Sequence, residues 1–361
     1  MDKGDVEVIM VKIDIISGFL GAGKTTLIKK LLQDAFKGQQ VVFIENEFGE
    51  IGIDGGFLKD AGIEIKEMNS GCICCSLVGD FGTALKEVVE KYHPDRIVIE
   101  PSGVGKLSDV IHAVENLHLE ADGEVKLNSA VTVVDVLKCK MYLKNFGEFF
   151  KNQVEAAGTI ILSRTDTKKA TPEKIEAAIE LIRELNPDAT IITTPVEDLG
   201  GQKILDTIEG MKIDLSHVEE EHDHCCDHEH HHDHDHEEHE HEHHHDHEHH
   251  HHDHDDHCCC GHDHEGHHHA DDVFESVGIE TPKKFTKEKI EKALEALEDK
   301  DEYGFILRAK GIVEAEDGQW IHFDYVPGEP DVRTGASGVT GRLCVIGSEI
   351  DRDKILKLFE I

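Results

Sequence analysis

Gly18-Phe-Leu-Gly-Ala-Gly-Lys-Thr25 constrains the fold of this chain more than any other stretch. It satisfies G-x-x-x-x-G-K-[ST], follows an apolar run (Lys12–Ser17) and precedes an amphipathic one (Thr25–Phe36). Such a loop works only where a strand hands over to a helix, because its glycines let backbone N–H groups curl around phosphate oxygens at the helix start. A glycine-rich turn with no ligand is the alternative, and Lys-Thr in register argues against it. Gly18, Gly21, Ala22, Gly23, Lys24, Thr25 and Thr26 are therefore candidate nucleotide contacts. Lys24 suits the β- and γ-phosphates, Thr25 a Mg²⁺ ion and Thr26 the α-phosphate.

Around this loop, short β-branched runs alternate with amphipathic stretches. Strands are expected at Lys12–Ser17, Val41–Glu45, Ile63–Glu67, Arg96–Glu100, Ala130–Asp135, Thr159–Ser163 and Thr190–Thr193. Helices are expected at Thr25–Phe36, Phe81–Tyr92, Lys106–Asn116 and Pro172–Leu185. Several strands are uniformly apolar rather than alternating, as strands buried on both faces are. The expected fold is α/β: a P-loop NTPase with a mostly parallel sheet flanked by helices over residues 1–215. Residues 273–361 read as a small C-terminal α+β domain. Its helix is at Lys289–Leu297, its strands at Phe305–Val313, Trp320–Tyr325 and Leu343–Ile346, and a last helix lies near Asp351–Phe359.

Two buried-strand ends extend the nucleotide set. Ile97-Val-Ile-Glu100-Pro-Ser-Gly103 places a carboxylate where it can hold Mg²⁺ through water, and a glycine whose N–H can face a γ-phosphate. Lys24, Thr25 and Glu100 are the candidate catalytic residues. Ser163-Arg-Thr-Asp166 follows another apolar strand, where guanine readers carry Asn/Thr-Lys-x-Asp. Ser163 and Asp166 are candidate base contacts, with Arg164 in place of the usual lysine. By itself Ser-Arg-Thr-Asp also reads as a turn or helix cap. GTP is the expected nucleotide, with ATP the alternative.

Cysteine usage points to metal. Cys72, Cys74 and Cys75 lie within Gly-Cys-Ile-Cys-Cys after the third strand. Neighbours that close make poor disulfides and good thiolate ligands, suited with one further donor to tetrahedral Zn²⁺ or Co²⁺. Glu45-Asn-Glu-Phe-Gly-Glu50 ends the second strand, and Glu45 and Glu50 are its candidate donors; they serve equally as Mg²⁺ ligands or as solvent-facing carboxylates. Cys139 and Cys344 read as packing residues, and His93, His112 and His118 as surface ones.

Residues 216–272 form an expected disordered linker. The stretch from His217 to His269 holds 26 of the chain's 30 histidines, and residues 217–272 contain 21 Asp and Glu with no Lys or Arg. His222, His224, Cys225, Cys226, Cys258, Cys259 and Cys260 are its candidate metal ligands. Because ligating imidazole is neutral, loading is expected to fall below about pH 6.5. Titration calorimetry giving one stoichiometry on both sides of that value would contradict this.

The formal net charge is −39, and −18 without that tract. So acidic a chain excludes a nucleic-acid backbone as partner. With no long apolar run, no membrane partner is expected either, and clustered free thiols point to the cytoplasm. Oligomeric state is not legible in the pattern.

Gly18–Thr26, Glu45–Glu50, Gly71–Ser76, Glu100–Gly103 and Ser163–Asp166, with Arg308-Ala-Lys-Gly311 as the opening of the C-terminal domain, together resemble the CobW-like family of P-loop GTPases. These are relatives of the nickel-insertion GTPases that mature urease and hydrogenase. The resemblance implies GTP hydrolysis coupled to delivery of zinc or cobalt, with the thiolate loop as internal metal site. It implies GTP, Mg²⁺ and Zn²⁺ (or Co²⁺) as ligands, and a client metalloprotein docked partly through the C-terminal domain. Two other functions compete: metal storage by the histidine tract, or a cobalt chaperone for cobalamin or metalloenzyme assembly.

Overall fold

The structure is a computed structural model and describes residues 10–46, 64–68, 78–117, 124–211, 213, 215, 273–338 and 340–361. The candidates Cys72, Cys74, Cys75, Glu50, His118, His222, His224, Cys225, Cys226, Cys258, Cys259 and Cys260 lie outside the described residues.

Strands apolar on both faces need cover on both faces, and the first sheet has it. Its strands are β1 (Met10–Ser17), β2 (Val41–Asn46), β3 (Glu64–Met68), β4 (Arg96–Glu100), β5 (Glu124–Asp135), β6 (Thr159–Ser163) and β7 (Thr190–Ile192). They lie in the order β3-β2-β4-β1-β5-β6-β7, and every neighbouring pair is parallel. The expectation of a mostly parallel sheet thus becomes a wholly parallel one. Every residue of β4 is buried: Ile97 and Ile99 join one core cluster, and Val98 joins the cluster on the opposite face.

The covering helices are α1 (Lys24–Asp34), α2 (Val78–Tyr92), α3 (Leu107–Glu115), α4 (Cys139–Asn145), α5 (Gly147–Glu155), α6 (Pro172–Leu185), α7 (Val196–Leu199) and α8 (Gly201–Ile208). Leu27, Ile28 and Leu31 of α1 and Ile204, Leu205 and Ile208 of α8 cover one face. Leu107, Val110 and Ile111 of α3, Phe149, Phe150 and Val154 of α5, and Ile182 of α6 cover the other.

A buried charged network interrupts this interior. Asp14 in mid-β1 is fully buried; it pairs with Arg96 and accepts hydrogen bonds from Asn128 Nδ2 at 2.7 Å and Ser129 Oγ at 2.6 Å. Arg96 also donates to Glu209 Oε1 at 2.6 Å, tying the end of α8 to the sheet. The pairing of β1 with β5 shifts register at Ile13/Asp14, where this network enters.

The C-terminal sheet is built on the opposite principle. Its strands are β8 (Glu275–Thr281), β9 (Lys284–Phe285), β10 (Phe305–Ala315), β11 (Trp320–Val326), β12 (Glu329–Thr334) and β13 (Gly341–Ser348). The order β12-β11-β10-β13-β8 is antiparallel throughout, with β9 beside β10. Burial alternates along most of β11 and along β10 from Gly311 onward, as in a sheet with two unlike faces. Ala309, Val313, Phe323, Tyr325, Leu343 and Val345 pack with Ile290 and Leu294 of α9 (Lys287–Ala296) and Ile355 of α11 (Arg352–Leu358). Between these helices runs the single turn α10 (Lys300–Tyr303).

The segment Arg308-Ala-Lys-Gly311 divides between the two faces. Ala309 faces the helices, and Gly311 leaves room for the ring of its cross-strand partner Phe323, which a Cβ there would approach to 2.4 Å. Arg308 and Lys310 therefore share the other face. From that face Cys344 and Ile346 join Phe274 in the core of the parallel domain. Cys344 and Cys139 are both buried, and His93 and His112 are exposed, as expected. Among the described residues no helix is long and apolar enough to cross a membrane.

Candidate nucleotide-binding site

Adjacent β1 and β4 end side by side, and the chain leaves them for opposite flanks of the sheet. That divergence opens a crevice at the carboxyl edge, where α/β sheets hold ligands. The loop from Gly18 to Gly23 occupies it and delivers Lys24 and Thr25 to the first turn of α1. Gly18, Gly21 and Gly23 have φ of 140°, 71° and 105°, so the loop's curl is written into its glycines. Lys24 is buried; its Nζ donates to the carbonyl of Gly18 at 2.9 Å and lies 3.9 Å from Glu100 Oε1 at the end of β4.

Glu100 and Glu45 are register partners across β4 and β2. Two of the three carboxylates expected to meet metal thus stand next to each other, Glu100 on the strand beside β1 and Glu45 one strand further out. Glu100 and the Thr25 hydroxyl are hard oxygen donors of the kind Mg²⁺ prefers, so these residues fit that ion. Gly103 is brought against the loop: a Cβ there would lie 2.9 Å from the backbone N of Leu20. Its segment is held by a residue that sequence reasoning missed. Gln153 is fully buried and donates Nε2 to the carbonyls of Gly103 at 3.2 Å and Gly105 at 2.9 Å. An amide among Phe149, Phe150 and Val154 on an apolar helix face was its only signal.

At the other end of the loop, Ser163 lies 3.7 Å from where a Cβ on Gly23 would be. Asp166 is exposed, and Thr165 Oγ1 bonds the carbonyl of Thr193 beyond β7, bringing two sheet-edge loops together. Arg164 adopts a left-handed φ of 61° and is engaged on three sides. It donates to the carbonyl of Gly21 at 3.2 Å, approaches Asp135 Oδ2 to 3.1 Å through Nε, and pairs with Glu329. Burial raises the Asp135 carboxyl above its usual range, against the opposing Leu137 N–H and Arg164 charge. Burial also pushes the Lys138 ammonium down to about 8, with Asp135 pulling the other way. Lys138 Nζ lies 3.9 Å from Glu329 Oε1.

The C-terminal sheet closes this crevice. A cavity of about 440 Å³ is lined by Gly21, Lys24, Thr25, Thr26, Glu100 and Arg164 from the parallel domain, and by Arg308, Asp324, Val326, Glu329, Asp331 and Arg333 from β10, β11 and β12. Val326 sits on Gly21, where a Cβ would come within 2.3 Å of its Cγ1. Lys310 is almost fully buried beside this cavity, and burial pushes its pKa down while the charge of Glu45 opposes the shift. Among the described residues no group of three or more His, Cys, Asp or Glu stands ready to hold a metal ion.

A phosphate loop at the crevice of a wholly parallel sheet, beside a strand ending in a buried acid, defines a P-loop nucleotide-binding domain. The chain belongs to the CobW/HypB/UreG family, whose nucleotide-binding domain matches residues 12–193, while the cobalamin synthesis protein CobW C-terminal domain matches residues 274–360.

Among its relatives, the zinc chaperone CobW of a Sinorhizobium species is 33% identical over 248 residues, 58% of this chain and 69% of that one. The zinc chaperone YeiR of Escherichia coli is 32% identical over 168 residues, 46% of this chain and 50% of that one. The zinc-regulated GTPase metalloprotein activator 1 of Dictyostelium discoideum is 27% identical over 236 residues, 54% and 48% of the two chains. The chain thus spans about half the length of the latter two curated relatives.

Proposed function

We propose that this protein is a cytoplasmic GTP-hydrolysing metallochaperone that binds zinc and passes it to a client metalloprotein, its nucleotide state setting its affinity for the metal. The observation that carries this reading is the register pairing of Glu45 with Glu100, with Glu100 also 3.9 Å from Lys24. A donor offered to the cargo and a donor offered to the nucleotide's Mg²⁺ share one sheet edge. A change at the γ-phosphate therefore has a short route, across the pairing of β4 with β2, to Glu45 and the chain that leads on to the thiolates Cys72, Cys74 and Cys75.

In this reading Lys24 and the loop amides neutralise and orient the β- and γ-phosphates. Mg²⁺, when bound, is held by Thr25 and Glu100 and supplies further charge neutralisation. Gly103 offers its N–H toward the γ-phosphate, and Gln153 keeps that segment in place. Ser163 and Asp166 read the guanine edge, with Arg164 braced against the loop. The names of relatives, zinc chaperones and a zinc-regulated GTPase, support zinc over cobalt as cargo and GTP as nucleotide. Metal affinity must then differ between nucleotide states, and nucleotide affinity must respond reciprocally to metal. The C-terminal domain carries part of the client docking, and the histidine tract adds capacity.

The experiment is GTP turnover with and without Zn²⁺ on wild type and Cys74→Ser, together with Zn²⁺ affinity in the diphosphate and triphosphate-analogue states. Zinc-responsive turnover that Cys74→Ser abolishes is expected, and four equal rates with one affinity would refute coupling. Deleting residues 217–269 addresses a pure metal store, which loses its function, whereas a chaperone retains zinc-responsive turnover.

A further inference from the structure

The cavity at the phosphate loop is lined by three arginines, and each meets a carboxylate from one face of the C-terminal sheet. Arg164 pairs with Glu329. Arg308 donates Nη2 to Asp324 Oδ2 at 2.9 Å and Nε to Oδ1 at 3.4 Å. Arg333 pairs with Asp331. The register makes this one surface: Asp331 is opposite Asp324, Glu329 opposite Val326, and Asp324 opposite Lys310.

Two of these cations, Arg308 and Arg333, come from outside the parallel domain, yet they line the same cavity as Lys24, Thr25 and Thr26. Arg308–Asp324 is partly open to water and Arg333–Asp331 is more than half exposed. Pairs this wet hold their partners weakly. A polyphosphate offers a guanidinium more charge and the same two-pronged geometry. The carboxylates are therefore displaceable, and the arginines are poised over the loop that delivers the phosphates.

We infer that Arg308 and Arg333 are polyphosphate ligands supplied by the C-terminal domain, with Asp324 and Asp331 occupying them until a nucleotide takes over. The inference rests on reading this cavity as a nucleoside-triphosphate site, and it assigns the C-terminal sheet a part in that site. Val326 on Gly21 and Glu329 on Arg164 hold the sheet in place for it. Exchange of carboxylate for phosphate then shifts the sheet's charged face whenever the nucleotide changes.

The test uses the full chain and fluorescent GDP and a non-hydrolysable GTP analogue, titrated by anisotropy. Arg308→Ala should weaken the triphosphate analogue about ten-fold and the diphosphate less. Arg333→Ala, at an exposed position, should weaken the analogue about three-fold. Asp324→Asn, which removes the charge that competes for Arg308, should tighten it. If Arg308→Ala does not fold by thermal melt, Arg308→Lys, keeping charge without the fork, and Arg333→Ala decide instead. Wild-type affinities in these arginine variants, with binding lost in Lys24→Ala, would overturn the inference and leave the nucleotide reading standing. No binding of either nucleotide to wild type would overturn both.

Discussion

The two sheets carry chemistry in opposite places. The parallel sheet is buried on both faces, so its working groups are confined to strand ends: Lys24 after β1, Glu45 on β2, Glu100 on β4 and Ser163 on β6. The antiparallel sheet covers one face with its own helices; on the other, Arg308, Lys310, Asp324 and Glu329 stand beside Cys344 and Ile346, which pack into the first domain's core. A site at a strand edge inherits its precision from the packed core beneath it. A site on a sheet face gains breadth, since alternate residues of several strands share it.

The largest effect should fall on the edge site. Lys24→Ala removes the cation nearest the phosphates and should lower GTP turnover about a thousand-fold, about 4 kcal/mol, in a phosphate-release assay. Unchanged turnover would mean that the edge is not where the first domain works.

Asp14→Ala attacks the exception inside the parallel sheet. It takes from Arg96 its one fully buried carboxylate, leaving Glu209 and Gln39 as partners, and should cost about 3 kcal/mol in urea unfolding. A cost under about 1 kcal/mol would show an interior more tolerant of charge than its apolar strands imply.

Lys138 tests the seam between the sheets through pH. Its folded pKa is lowered from 10.5 to about 8, chiefly by burial. The unfolded chain therefore holds a proton that the folded one has lost between those values, and stability rises with pH across that window. Lys138→Met should flatten this rise, seen by comparing unfolding at about pH 7.5 and about pH 10. The same rise in both proteins would place the lysine in water.

The smallest effect belongs to the second domain alone. Thr286 caps α9 by accepting from Lys289 N at 3.2 Å, so Thr286→Ala should lower stability by about 1 kcal/mol and leave nucleotide affinity unchanged. Altered affinity would mean that the helical side of that sheet also reaches the site.

The parallel domain was legible because its signals are local. A buried strand such as Arg96–Glu100 shows itself as an unbroken apolar run, and the phosphate loop is contiguous. Helices α4 and α5 went unread because Gly147 interrupts their pattern, although Tyr142, Phe146, Phe149 and Phe150 share the helical spacing that buries them. Strand β12, Glu-Pro-Asp-Val-Arg-Thr, has no apolar alternation; it exists through its register with β11. Strand β8 is absent from the expected elements, although buried Val277, Ile279 and Thr281 alternate along it. The expected nucleotide residues Lys24, Glu100, Gly103 and Ser163 are brought together, but the meeting of Arg164 with Glu329 has no trace in either neighbourhood. Contacts between segments so distant follow from how two sheets dock, which residue spacing does not encode.

Gly21 sits at a position that the phosphate-loop pattern leaves free. Here Val326 fills the space a side chain would need, and the backbone there turns left-handed. Two residues remote along the polypeptide thus restrict each other's choice. Among related chains with this docking, a glycine in the loop should accompany a branched residue on the strand, while loss of the second domain removes only the steric limit and leaves the left-handed backbone to favour glycine.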